Sequence, residues 1–131
     1  MRRFLSLLVI ACVLNACGKE QADVAPADVE PEKPDHPWDL IPDQPDLVAG
    51  RQIYLAECAL CHNEGEEGAP ALVEAEEWKV RADKGLPVLF DHAINGFIGD
   101  DGEMPARGGT DSLSDEEVKN AVRYMLATQE S

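Results

Sequence analysis

The run Cys58-Ala59-Leu60-Cys61-His62 carries the most specific chemistry in this chain. Thiols at that spacing lie on one helical turn, where each can add to one vinyl group of a haem. The histidine that follows then falls beneath the iron as proximal ligand. A redox C-x-x-C pair would ask for a βαβ setting, and a zinc site for further ligands at zinc spacing. Neither surrounds Cys58 and Cys61. The motif therefore predicts one covalently held c-type haem, attached through Cys58 and Cys61, with His62 on the iron.

An iron held by one histidine needs a donor on its other face. Met104-Pro105 lies in a loop flanked by Gly102, Gly108 and Gly109, far enough past His62 for the chain to wrap round. Thioether opposite imidazole favours ferrous iron and raises the potential. The competing donors are His92, which would give a bis-histidine haem, and His36, in a Pro-rich stretch. Met125 falls on an apolar helix stripe, where a core role explains it.

Helices must position these groups. Asp46 to Cys61 reads as a first helix, with Asp46 as N-cap and Leu47, Gly50, Ile53 and Tyr54 on one face. Gly50 inside that helix suggests a close approach by another helix. Shorter helical stretches run from about Glu74 to Arg81 and from about Pro87 to Asn95, the second stopped by Gly96. The last helix opens with a capping box, Ser114-Asp115-Glu116-Glu117, stapled by Leu113 and Val118. Val118, Ala121, Val122, Met125 and Leu126 then form an apolar stripe, and Tyr124 is placed to cross the first helix near Gly50 and Tyr54. No strand alternation is present, so the fold class expected is all-α.

The N-terminus reads as an export signal over residues 1–16. Arg2 and Arg3 precede an apolar run from Phe4 to Leu14, too short for a spanning helix of about 20 residues. Leu14-Asn15-Ala16-Cys17 resembles a bacterial lipobox, which makes Cys17 the lipidated N-terminus and a membrane anchor on the periplasmic side. Val9-Ile10-Ala11-Cys12 leaves a stunted apolar run by comparison. The four cysteines are then all assigned: Cys12 leaves with the signal, Cys17 takes lipid, and Cys58 and Cys61 take haem.

Residues 17–46 are rich in acids and in proline, from Pro26 to Pro45. Such a segment buries too little apolar surface to offset its ordering entropy and reads as a tether. Fully extended it would reach roughly 90 Å, and as a flexible coil roughly 30 Å. Trp38 and Leu40-Ile41 near its end are candidates to dock on the domain at 47–131. Loss of Arg2 and Arg3 leaves 9 basic against 26 acidic residues, a net charge of −17. That excludes nucleic acid as a natural partner and suits a redox protein with a basic docking face.

In these residues the chain resembles the class I cytochromes c of the cytochrome c5 type. The matching positions are Gly50 with Tyr54, Cys58 to His62, Gly68-Ala69-Pro70-Ala71-Leu72, Trp78, His92 to Gly96, Met104 to Gly109, and Leu113 to Glu117 running on to Tyr124-Met125. They span nearly all of the folded part and none of the tether. The resemblance implies a small helical fold around one haem, with His62 and Met104 as axial ligands. It implies that the Pro70 carbonyl accepts a hydrogen bond from His62, and it places Trp78 and Arg81 near a haem propionate. Some relatives carry a further cysteine pair where this chain has Thr110-Asp111-Ser112, so that disulfide is missing here. The function implied is one-electron transfer between periplasmic or respiratory partners, not enzymatic turnover. The rival readings are a haem enzyme or ligand sensor with a displaceable sixth ligand, and a dedicated electron-transfer subunit of a larger oxidoreductase.

Overall fold

The computed structural model describes residues 35–130. The lipobox at Cys17 and the signal at 1–16 lie outside them, as does the first half of the expected tether. Helix α1, Pro45–Ile53, continues through a π-helical turn, Tyr54–Cys58, into α2, Ala59–His62. Its start differs from the expected cap at Asp46. Gln44 holds the cap position in extended backbone, and Pro45, whose fixed φ suits the first helical turn, opens the helix. Asp46 sits in that first turn, where its charge complements the helix dipole.

Helix α3 is Ala75–Ala82, α4 is Leu86–Asn95 and α5 is Asp115–Ala127. The capping box forms as expected: Ser114 Oγ accepts from the Glu117 amide, and the Glu117 carboxylate accepts from the Ser114 amide. The fold is predominantly helical, as expected. One departure is a minimal antiparallel pair, β1 (Phe97–Ile98) with β2 (Glu103–Met104), in which Phe97 faces Met104 and Ile98 faces Glu103. Two-residue strands are too short to leave an alternating pattern in the sequence.

The core forms where α1 and the π-turn cross α5. Tyr54, Leu72, Trp78, Ala121, Tyr124 and Met125 pack into one buried cluster. A Cβ on Gly50 would overlap the Asn120 carbonyl, so the crossing puts backbone against backbone and requires glycine. Tyr54 and Tyr124 are fully buried, with rings 5.5 Å apart. Each buried hydroxyl has a partner: Tyr54 donates to Asn63 Oδ1, and Tyr124 donates to the carbonyls of Trp38 (2.9 Å) and Leu40 (3.2 Å). Trp38 and Leu40 of the expected tether therefore pack on the domain, while Ile41 is exposed. A second cluster, Ala93, Val118 and Val122, joins α4 to α5, with Leu113 and Met104 lying against it.

Candidate haem site

Helix α2 ends on His62, and the chain folds straight back over that residue. The Leu72 amide donates to the His62 carbonyl, and His62 Nδ1 stands 3.0 Å from the Pro70 carbonyl. A carbonyl can only accept, so Nδ1 carries the proton and Nε2 keeps its lone pair. Burial pushes the His62 pKa down, against the opposing pull of the Pro70 bond, with Arg81 lowering it further. At neutral pH the ring is therefore a neutral imidazole with one free nitrogen, the form that ligates iron.

A cavity of about 480 Å³ opens beside this ring, within the range of cofactor sites. Cys58, Cys61, His62 and Met104 all line it. Leu89, Phe97, Ile98 and Val80 supply apolar wall, and Ile98 and Val80 are 78% and 64% exposed. Apolar side chains left that open around a concave site suit a flat apolar ligand that would cover them. Met104 reaches the cavity from β2 while its other side packs on the α4–α5 cluster. The donor set, two thiols on one turn, a fixed imidazole and a thioether, fits a covalently attached haem.

The thiol chemistry argues against the redox alternative. Burial, with Glu57 and Cys61 adding to it, pushes the Cys58 thiol up to about 11. A catalytic C-x-x-C pair needs the opposite, a thiolate stabilised near neutral pH. Among the described residues no group of three or more His, Cys, Asp or Glu side chains is placed to hold a metal ion.

The other expected positions divide. Pro70 makes the hydrogen bond implied for it. Trp78 does not line the cavity. Its ring stands 5.8 Å from that of His62, and its Nε1–H is donated to the Ala71 carbonyl at 2.8 Å. With that proton engaged and the ring 5% exposed, Trp78 is a core residue that backs the histidine. Arg81 and Lys84 do line the cavity. His92 also lines it, stacked at 4.0 Å on Phe97, whereas His36 stacks on Trp38 away from it and Met125 is buried in the core. The sequence reading missed the wall residues Val80, Leu89, Phe97 and Ile98. The apolar pair directly after the Gly96 stop was the available signal for the last two.

Comparison with known proteins agrees with this geometry. The family model described as cytochrome c oxidase, cbb3-type, subunit III, matches residues 45–125. Cytochrome c-555 of Chlorobaculum thiosulfatiphilum is 42% identical over 81 residues, covering 62% of this chain and 94% of that protein. Cytochrome c5 of Ectopseudomonas mendocina is 35% identical over 75 residues, 56% of this chain and 82% of its own. A solved structure described as an electron transfer complex of nitrite reductase with cytochrome c aligns with a TM-score of 0.55 at 30% identity. That alignment covers 62% of this chain and 94% of the solved one. Relatives of this kind are small electron carriers rather than enzymes. The chain belongs to the c-type cytochrome family, as a small class I member of the cytochrome c5 kind that carries one covalently bound haem c.

Proposed function

We propose that the protein is a membrane-tethered one-electron carrier of the periplasm, with His62 and Met104 as the axial ligands of its haem. The observation that carries this reading is that one cavity is lined both by a neutral imidazole, fixed at Nδ1 by Pro70, and by Met104 with its thioether. When bound, the haem supplies a reversible Fe(III)/Fe(II) couple. Cys58 and Cys61 hold it through thioether links. His62, locked by Pro70 and backed by Trp78, keeps one ring orientation in both oxidation states, which keeps reorganisation small. Arg81 and Lys84 are the cations placed to meet the haem propionates.

Glu66, Glu67, Asp100, Asp101 and Glu103 are all exposed and all border the cavity. With the strongly negative chain charge, they support a redox partner whose docking face is basic. The solved relative docked on nitrite reductase supports a protein partner. The membrane anchor is lipid on Cys17, for which the support is the lipobox resemblance. No helix among the described residues is long and apolar enough to cross a membrane. A second reading is a dedicated electron-transfer subunit of a larger oxidoreductase, favoured by the oxidase subunit named in the matching family model.

The ligand set is tested by comparing Met104→Ala with His92→Ala. Loss of the weak thioether band at the red edge of the ferric spectrum, with a fall in potential, is expected for Met104→Ala alone. The opposite pattern would make His92 the ligand.

A further inference from the structure

The loop that carries Met104 is tied down at a point the ligand set does not require. Thr110 Oγ1 donates to Glu57 Oε2 at 2.6 Å, across 53 residues of sequence. Glu57 immediately precedes Cys58 and belongs to the π-helical turn Tyr54–Cys58. Both side chains are half-buried. The loop backbone rests on the same turn, since a Cβ on Gly108 would lie 3.1 Å from the Glu57 carbonyl oxygen. Glu57 and Gly108 both line the cavity. Between Met104 and Thr110 the loop is also held to the start of α5 by Arg107, which donates to the Leu113 carbonyl (2.7 Å) and to Asp115 Oδ1 (2.6 Å).

We propose that the Thr110–Glu57 hydrogen bond is a latch that keeps the Met104 loop closed over the iron, with Thr110 and Glu57 as positioning residues for the sixth ligand. The proposal rests on Met104 being that ligand. A hydroxyl donating to a carboxylate is among the stronger side-chain bonds, and removing the donor leaves a half-buried charge unpaired. The latch joins the segment that carries Met104 to the turn that carries Cys58. It ties the loop to that turn beside the Gly108 contact, whereas the bonds of Arg107 tie it to the start of α5. The π-turn supplies the geometry. Its wider winding shifts the register between Tyr54, buried in the core, and Cys58, at the cavity, and presents Glu57 to the loop.

Imidazole binding to the ferric holoprotein reads the latch, because added imidazole reaches the iron only when Met104 has left. Apparent affinity then scales with the open fraction. Thr110→Val should raise it about tenfold, while Thr110→Ser, which keeps the donor, should stay within about twofold of wild type. Tyr124→Phe, which removes the hydroxyl bonded to the Trp38 and Leu40 carbonyls but keeps the ring in the core, lowers global stability away from the loop and should leave it unchanged, separating latch from general loosening. Met104→Ala gives the fully open limit. If Met104→Ala raises the affinity and Thr110→Val does not, the latch is refuted and the ligand stands. If Met104→Ala itself leaves the affinity at the wild-type value, Met104 is not the ligand and the latch falls with it.

Discussion

Replacing Gly50 with alanine sets two terms of opposite sign against each other. Alanine is the better helix former by about 1 kcal/mol in a helix interior, so propensity alone predicts a more stable protein. The new Cβ, however, would overlap the Asn120 carbonyl and crowd the Ala121 amide, both of them backbone. No side chain is present to swing away, so α1 must retreat from α5. A gap of 0.5–1 Å already forfeits about a quarter to a half of the dispersion attraction between facing atoms. The interface that opens holds Tyr54 against Tyr124, with Leu72 and Trp78 behind them. Overpacking of this unyielding kind costs about 3 kcal/mol, leaving a net loss of about 2 kcal/mol after the helix gain. For a domain of this size that lowers the thermal midpoint by about 10 °C. Thermal and urea unfolding of the holoprotein, followed by far-UV circular dichroism, measures it. A Gly50→Ala protein as stable as wild type, or more so, would refute the backbone-contact reasoning.

Ser114→Ala removes the cap of α5 and should cost about 1 kcal/mol in the same unfolding assay, with the reduction potential unmoved because Ser114 does not line the cavity. The Ser114 hydroxyl and amide hold the Glu117 carboxyl below its usual pKa. Its stabilising contribution is therefore full above the unfolded carboxylate range and lost as pH falls through the folded value. The stability gap between wild type and Glu117→Gln should close on acidification in that window, and a pH-independent gap would contradict it. Cys17→Ser should abolish fatty-acid labelling while leaving haem attachment intact; equal labelling of both proteins would rule out Cys17 as the anchor. Association with a basic redox partner should slow steeply as salt rises, and a flat salt response would remove electrostatic docking from the proposed function.

The site's covalent chemistry was readable because it is local: C-x-x-C-H needs only one helical turn, and the Ser114–Glu117 box only the first turn of a helix. Gly50 was readable as a close approach because glycine inside a helical pattern has a cost that demands a reason. What the sequence hid depends on contacts between distant residues. Trp78 stands out by type, yet only the fold reveals that its indole proton serves Ala71 and that its ring backs His62. The hydrogen bond of Thr110 to Glu57 joins two ordinary polar residues 53 apart, with no motif to announce it. Asp46 looked like the cap of α1 because its side chain suits that role, but Pro45 had already fixed the backbone one residue earlier.

The most direct test of a haem closed on both faces by His62 and Met104 is the absorption spectrum of the reduced holoprotein before and after addition of carbon monoxide at neutral pH. A low-spin spectrum that carbon monoxide leaves unchanged is the predicted result for a carrier whose iron offers no open position. Prompt conversion to a carbon monoxide adduct would contradict it and identify a haem that binds ligands rather than one that only passes electrons.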